Sequence, residues 1–174
     1  MARVLLKKHD VTMRGTGLLA IVVLAFKPLI DPVPWLIWNA SNSVPKGLYF
    51  VANHAPGIGK IAVLNLPDWA QLIANDRGYL PNTAWLLKPV LATGGTVVCR
   101  FGAYVFVDGK LVALALRTDI KGRLMPVWTG CMTLRKRQIF LLSYHRDSFD
   151  SRYFGAVESS SVIGTANPLV IFGK

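Results

Sequence analysis

The N-terminus combines basic residues with a short uncharged apolar run, GTGLLAIVVLAF, which is followed by a lysine. About 12 residues is short of the roughly 20 that span a bilayer as a helix. If that lysine extended its amine to the interface, and PLIDPVPWLIW lay at the far interface, the membrane segment would reach residue 38 and would be long enough to span. A basic flank before an apolar stretch is typical of a signal-anchor. The flank consists of Arg3, Lys7, Lys8 and Arg14.

The distribution of charge predicts the topology of the chain. By the positive-inside rule, residues 1–14 lie in the cytoplasm, residues 15–38 form a signal-anchor in the membrane, and residues 39–174 form one exported domain. Trp35 and Trp38 would then lie at the membrane interface. The alternative is that the apolar run is a buried helix of a soluble core.

Short apolar runs bounded by turn residues predict a mainly β, antiparallel domain with one short helix after the anchor. The helix is predicted at PDWAQLIANDRG, residues 67–78, where Pro and Asp suit the first turn and Gly stops the helix. AYVFVDGKLVALAL, residues 103–116, predicts a hairpin that turns at Asp108 and Gly109. Other strands are predicted at GLYFV (47–51), IAVLNL (61–66), AWLLKPVLA (84–92), TVVCRF (96–101), MPVWTG (125–130), QIFLLSY (138–144) and SVIGTANPLVIF (161–172).

The net charge of +11 is compatible with nucleic acid, an anionic membrane surface or acidic partners. No RNP, zinc-finger or helix-turn-helix signature accompanies it, so we expect no nucleic-acid partner. The histidines and cysteines lack HxxxH or CxxC spacing, and no phosphate-binding glycine loop is present. We therefore expect neither a metal nor another cofactor.

Two serines beside a proline and a glycine follow the predicted anchor, in NASNSVPKGLYF. One interpretation is a linker, because these are ordinary loop residues. The other is that Ser43 is a nucleophile held by the turn. A histidine base would require Ser43, His145 and Asp150 to meet, although no G-x-S-x-G motif is present. The base could instead be a lysine buried enough to lose its proton.

Lys88 is the candidate for such a lysine, because apolar residues and a proline surround it in AWLLKPVL. A charged amine in the middle of a strand is costly unless it has a function or reaches solvent. The alternative is an exposed Lys88 on an edge strand, with Pro89 marking that edge.

Three blocks of the sequence, SVPKGLY, LLKPVLA and SFDSRYFG, occur in the order found in one known family. From about residue 39 onward, the chain resembles the bacterial type I signal peptidase superfamily, and within it the TraF conjugative-transfer peptidases. The resemblance implies a signal-peptidase-like antiparallel β domain. The short spacing between the nucleophile and Pro45 favours the TraF branch. The chain departs from the family at Gly94-Gly95, where many relatives have Gly-Asp.

The resemblance also implies roles for individual residues. Ser43 matches the nucleophile and Lys88 the general base. Ser41 matches a hydroxyl of the oxyanion hole, and Ser148 matches the serine that orients the lysine. The supporting pair of the family corresponds to Asp150 and Arg152.

The activity implied by the resemblance is acyl transfer by a serine endopeptidase that is anchored in the bacterial inner membrane, with its catalytic domain, residues 39–174, on the periplasmic side. Its substrate would be an exported preprotein, in particular a conjugative pilin precursor. Attack on the acyl-enzyme by water would give hydrolysis, and attack by an amine would give cyclisation. The alternative is a catalytically silent, membrane-anchored structural component of a secretion assembly.

The two cysteines, Cys99 and Cys131, lie outside the cytoplasm in the predicted topology, in a compartment where disulfides persist. One bridge between them would close a loop that contains the Asp108-Gly109 turn. The alternative is two buried free thiols.

Overall fold

The computed structural model describes residues 34–80 and 84–172. The predicted cytoplasmic segment 1–14 and residues 15–33 of the predicted anchor lie outside the described residues. Within the described residues, no helix is long and apolar enough to cross a membrane. The domain is mainly β, as the sequence predicts. Its strands are β1 (Leu36–Asn39), β2 (Gly47–Ala52), β3 (Ile61–Leu64), β4 (Leu86–Thr93), β5 (Val97–Phe101), β6 (Tyr104–Val107), β7 (Lys110–Leu114), β8 (Gly130–Thr133), β9 (Gln138–Leu141), β10 (Val157–Glu158) and β11 (Val162–Ile171).

Seven of these strands form an antiparallel sheet in the order β1-β2-β11-β3-β4-β9-β10. The late strand β11 lies between two early strands, so Thr165 is opposite both Ala52 of β2 and Ala62 of β3. The β11 strand approaches β2 closely, because a Cβ at Gly164 would lie 2.5 Å from the carbonyl oxygen of Ala52. The pairing of β11 therefore joins the β1–β2 hairpin to the rest of the sheet.

A second sheet has the order β7-β6-β5-β8. Its hairpin turns at Asp108 and Gly109, with φ angles of 46° and 76°. Two successive residues with positive φ are the geometry that an Asp-Gly turn favours, so the predicted hairpin is confirmed. Cys99 of β5 faces Cys131 of β8, and a disulfide joins them.

The predicted strand at residues 125–130 is wrong, because β8 begins only at Gly130. Pro126 has no N–H to give to a ladder, and its carbonyl oxygen accepts a hydrogen bond from Arg100 Nη1 at 3.2 Å. The indole N–H of Trp128 donates to the carbonyl oxygen of Ser151 at 3.1 Å. This segment is therefore held by side-chain contacts rather than by strand pairing.

The predicted helix is present as α1 (Asp68–Asp76), with its acidic residue in the first turn. Gly78, at φ 67°, follows the helix and reverses the chain. A second, one-turn helix α2 (Ser151–Phe154) was not predicted. Asp150 precedes it as the N-cap, and the Asp150 side chain accepts a hydrogen bond from the backbone N–H of Arg152. A single turn is too short to show an apolar period in the sequence.

The first strand, β1, includes Leu36–Trp38, the last residues of the predicted membrane segment. This strand lies at the edge of the large sheet and pairs with β2. Trp35 is 79% exposed and Trp38 is 59% exposed. The chain therefore enters the domain as an edge strand with two large aromatic side chains in solvent.

Candidate active site

The turn between β1 and β2, which contains Ser43, is held by a buried asparagine. Asn39 Nδ2 donates to the carbonyl oxygens of Ser41, Val44 and Pro45 at 3.0, 3.0 and 3.1 Å. Asn39 Oδ1 accepts from the backbone N–H of Ser41 at 3.1 Å. One amide side chain therefore holds the backbone on both sides of Ser43. Sequence reasoning missed Asn39, although Asn before a Ser-rich turn is a signal for this kind of local side-chain bond.

Gly47 begins β2 and is required by a close approach of two strands. Its φ is 156°, and a Cβ built on it would lie 2.1 Å from the carbonyl oxygen of Val170 in β11. The hydroxyl of Tyr49 donates to the carbonyl oxygen of Pro45 at 2.6 Å. These contacts tie the end of the turn to the sheet.

Lys88 lies on β4, which is flanked by β3 and β9 and is therefore an interior strand. The side chain of Lys88 is only 2% exposed, so the alternative of an exposed lysine on an edge strand is wrong. Its amine forms hydrogen bonds with Ser43 Oγ and, at 2.6 Å, with Ser148 Oγ. The two serine hydroxyls lie 3.2 Å from each other. The structure thus brings these three predicted residues into mutual contact.

The environment of Lys88 lowers the pKa of its amine. Burial lowers the pKa of Lys88 from 10.5 to about 8, because the low-polarity surroundings disfavour the ammonium. The nearby carboxylate of Asp150 opposes this effect, while the guanidinium of Arg152 adds to it. A substantial neutral fraction of a lysine near neutral pH is what a general base requires.

Asp150 and Arg152 form a buried bidentate ion pair beside the lysine. Arg152 Nε and Nη2 donate to the two carboxylate oxygens of Asp150 at 2.8 and 2.9 Å. The pair also binds the backbone of Ser143. The Ser143 N–H donates to Asp150 Oδ2 at 3.0 Å, and the Ser143 carbonyl oxygen accepts from Arg152 Nη2 at 2.6 Å. Both charges are compensated at close range, as a buried pair requires.

Ser143 connects that ion pair to the Ser43 turn and was missed by sequence reasoning. Its hydroxyl donates to the backbone carbonyl oxygen of Ser43 at 2.6 Å, across 100 residues of sequence. A serine at the end of a strand carries no local signal for such a contact. The ion pair therefore acts on the position of Ser43 through one intermediate residue.

Ser41 lies in the same turn as Ser43, and its hydroxyl donates to Asn39 Oδ1 at 2.8 Å. The hydrogen of this hydroxyl therefore points along the turn in this structure. Rotation about the Cβ–Oγ bond would release it toward the groove. Its role in an oxyanion hole stays a prediction.

The structure does not assemble the alternative histidine triad. His145 Nδ1 accepts from the backbone N–H of Asp147 at 3.3 Å. Asp150 is fully buried, and both of its carboxylate oxygens are taken by Arg152 and Ser143. In the two described ranges, no hydrogen bond links His145 to Ser43 or to Asp150.

Ser43 lies where two grooves meet. The first, which we name the apolar groove, has a volume of 760 Å³ and includes Ser41 and Lys88 in its wall. The second, which we name the basic groove, has a volume of 1760 Å³ and is lined in part by Lys46, Arg117 and Arg146. The walls of the apolar groove are formed largely by Leu36, Ile37, Leu66, Leu80, Trp85, Leu87 and Phe149.

The Cys99–Cys131 disulfide lies outside both grooves. The adjacent Arg100 is buried, and its Nη1 donates to the carbonyl oxygen of Arg152 at 2.5 Å. Burial lowers the pKa of Arg100, while Tyr153 opposes that shift. The small sheet therefore contacts the site through Arg100 rather than through the sulfur atoms.

Comparison with known proteins identifies relatives over most of the chain. The family model described as "Signal peptidase, peptidase S26" matches residues 10–171. The chain is 32% identical over 144 residues to the plasmid transfer protein TraF of Escherichia coli, covering 76% of this chain and 81% of the relative.

A second relative is the probable conjugal transfer protein TraF of Sinorhizobium fredii, at 32% identity over 146 residues, with 77% of this chain and 76% of the relative covered. A solved signal peptidase I from Enterococcus faecalis is 21% identical, covers 66% of this chain and 98% of its own, and has a TM-score of 0.37. The extent of the family match and the similarity to TraF proteins show that this chain belongs to the signal peptidase S26 family.

Proposed function

We propose that this protein is a membrane-anchored serine endopeptidase in which Ser43 and Lys88 form a catalytic dyad. The observation that supports this most is the buried amine of Lys88 in hydrogen-bond contact with the hydroxyl of Ser43. A lysine base is one of the recognised variants of serine-peptidase chemistry. Ser148 is placed to orient the amine, because it bonds Lys88 and lies beside Ser43.

In the first half of the reaction, Ser43 Oγ attacks the carbonyl carbon of the scissile bond while neutral Lys88 takes the hydroxyl proton. A C–O bond forms, and the carbonyl oxygen becomes an oxyanion. The backbone N–H of Ser43 and the hydroxyl of Ser41 are the proposed donors, each worth roughly 3 to 4 kcal/mol in comparable sites. Collapse of the intermediate breaks the C–N bond, and the Lys88 ammonium gives its proton to the leaving amine.

In the second half, a nucleophile deprotonated by Lys88 attacks the acyl carbon of the acyl-enzyme. The ester C–O bond to Ser43 then breaks, and the Lys88 ammonium returns its proton to Ser43 Oγ. Water releases the acyl fragment as a free acid, and an amine held nearby gives a new peptide bond. Both products follow from the same site, so the acceptor decides between hydrolysis and cyclisation.

The substrate that we propose is an exported pilin precursor used in conjugation. The names of the relatives, plasmid transfer and conjugal transfer protein, support a role in conjugation. We place the catalytic domain on the periplasmic side of the inner membrane, from the positive charges that precede the apolar run. The exposed Trp35 and Trp38 beside the entry of the chain are consistent with an interface location.

The test is cleavage of a pilin precursor by the full chain in membranes, beside Ser43→Ala and Lys88→Ala. We expect both variants to be inactive while still folded, because one lacks the nucleophile and the other lacks the base of the acylation step. Lys88→Arg should also be inactive, since a guanidinium does not deprotonate in a protein. Cleavage by Lys88→Ala would contradict the dyad, and unimpaired transfer by strains carrying Ser43→Ala would favour the silent structural component.

A further inference from the structure

The two grooves that meet at Ser43 differ in charge. The basic groove contains the exposed cations Lys46, Arg117 and Arg146, and no Asp or Glu of the described residues lines it. The apolar groove, in contrast, contains two carboxylates, those of Asp119 and Asp147. The two grooves therefore present different charges to a substrate at Ser43.

The three exposed cations of the basic groove have no ion-pair partner among the described residues. Within the described residues, 34–80 and 84–172, there are two ion pairs. One joins Arg123 to Asp119, and the other joins Arg152 to Asp150. Lys46, Arg117 and Arg146 therefore have no carboxylate partner among the described residues. An anionic group that entered this groove would meet three positive charges within one concave surface, where their fields add.

The two grooves are suited to opposite halves of a peptide substrate. The acyl half stays covalently bound to Ser43 until the second nucleophile arrives, so it is best retained by burial against apolar walls. The apolar groove also contains Lys88 and borders β1, an edge strand whose outer side has no partner strand among the described residues. The leaving half must bind and then depart, which exposed charges in a wide groove allow.

We propose that the basic groove binds the part of the substrate C-terminal to the cleaved bond and selects for a carboxylate there. The carboxylate is either an acidic side chain near the cut or the C-terminus of a short leaving peptide. Both present the same chemistry to the groove. This inference rests on the proposed peptidase function, because it assigns the two sides of the scissile bond.

The test uses fluorescent peptides that share one neutral sequence around the cut and differ only in charge. One carries Asp at the second position after the cut with an amidated end, one is neutral with a free C-terminal carboxylate, and one is neutral and amidated. The matched control carries the same Asp at the second position before the cut. Binding is measured by anisotropy to full-length Ser43→Ala, which cannot acylate, and kcat/KM is measured with the wild type.

We expect either carboxylate after the cut to strengthen binding by about fivefold to tenfold over the neutral peptide, since each exposed ion pair contributes roughly twofold to fivefold. The Asp before the cut should give no such gain. Raising the salt from about 0.05 M to about 0.5 M should erase most of the difference by screening. The two positive peptides distinguish a side-chain carboxylate from a chain terminus.

Charge-removing variants in the Ser43→Ala background locate the effect. Arg117→Gln combined with Arg146→Gln should remove most of the gain for carboxylate peptides. Lys136→Gln, an exposed position outside both grooves, removes a charge elsewhere and should leave the gain intact. A gain that survives the double variant, or that appears equally for Asp before the cut, would overturn the proposal.

The outcome for the groove is separable from the outcome for the dyad. A carboxylate gain in Ser43→Ala binding supports the groove whether or not the wild type cleaves any peptide. Cleavage that depends on Ser43 but shows no carboxylate preference, together with equal binding of all peptides, would refute the groove and leave the dyad intact.

Discussion

At the scale of single residues, the proposed base Lys88 is also a cost to the stability of the fold. Its amine is bonded to two hydroxyls and is almost without solvent, which makes the ammonium form unfavourable. The ion pair of Asp150 and Arg152 lies close enough to shift its titration in both directions. The pKa of about 8 is the balance of these effects, with burial the largest.

The first prediction concerns the pH dependence of activity. Because the base must be neutral, kcat/KM should rise about tenfold per pH unit on the acid side and level off near pH 8, the pKa of Lys88. A histidine base would place that limb near pH 6.5. The measurement is a full pH profile of peptide cleavage with His145→Ala as a control, which should keep the same limb.

The second prediction concerns stability, through the same lysine. An unfolded lysine titrates near 10.5 and the folded one near 8, so the unfolded chain binds more protons between these values. Wild-type stability should therefore rise as the pH increases from 8 to 10.5, and the full cost of the buried charge is present below pH 8. Lys88→Met should be more stable at pH 7 by at most about 3 kcal/mol.

Urea unfolding of the wild type and Lys88→Met at pH 7 and pH 10 measures this effect. The advantage of the methionine variant should shrink at the higher pH. Lys110→Met, at an exposed site, is the control and should show no pH-dependent difference. A Lys88→Met advantage that is constant across this range would argue against a lysine that titrates near 8.

At the scale of elements, the candidate active site is formed by one turn, one interior strand and the segment that precedes one helix. The turn holds Ser43 through Asn39, the strand β4 supplies Lys88, and the approach to α2 supplies Ser148. Ser143 then ties the helix side of the site to the backbone of Ser43. Each element is short, so its position depends on the neighbours that it contacts.

The third prediction tests the tightest of these contacts. Gly47→Ala places a Cβ 2.1 Å from the carbonyl oxygen of Val170, so β2 and β11 must separate. We expect a loss of about 3 kcal/mol or more in the free energy of unfolding, with activity lost in parallel. Gly57→Ala is the matched control, because a Cβ there meets nothing within 4 Å. Equal thermal midpoints for the two variants would contradict the role of the contact.

Much of this arrangement was predictable, and what was missed has a physical reason. Ser43 beside its turn residues and Lys88 in an apolar run are candidates from local sequence, whereas the role of Ser148 follows only from the resemblance of its block to the family. The contact of Ser143 with the Ser43 backbone spans 100 residues and has no local pattern. The strand expected at 125–130 failed because Pro126 and Trp128 bond outside any ladder, which apolar content alone does not indicate.

At the scale of the whole molecule, the small sheet stabilises the domain and also lines part of the basic groove, through Val112, Ala113 and Leu114 of β7. Its disulfide links β5 to β8, and Arg100 on β5 reaches the backbone of Arg152. The sulfur atoms themselves do not line either groove. Stability and chemistry should therefore separate when the bridge is removed.

The fourth prediction is that loss of the disulfide lowers stability but leaves the catalytic activity in place. Cys99→Ser combined with Cys131→Ser opens a loop of sequence separation 32 and should lower the free energy of unfolding by roughly 3 to 4 kcal/mol in the chain-entropy model. Cleavage at low temperature should persist. Urea unfolding with and without reductant measures the first effect, and thiol labelling of the unfolded exported protein tests the bridge. Two reactive thiols before reduction would contradict both the bridge and the assigned compartment.

The position of β11 has a consequence for the time at which the proposed active site can form. A ribosome that has made Ser43, Lys88 and Ser148 has not yet made Val162–Ile171, the strand that joins β2 to β3 in the sheet. Until that strand has been made and has paired, the Ser43 hydroxyl and the Lys88 amine are not held together. Lys88 is then not buried and stays protonated at neutral pH. If Ser43 and Lys88 form the proposed dyad, an unfinished chain should therefore lack peptidase activity, because the site assembles only after the last strand has been made.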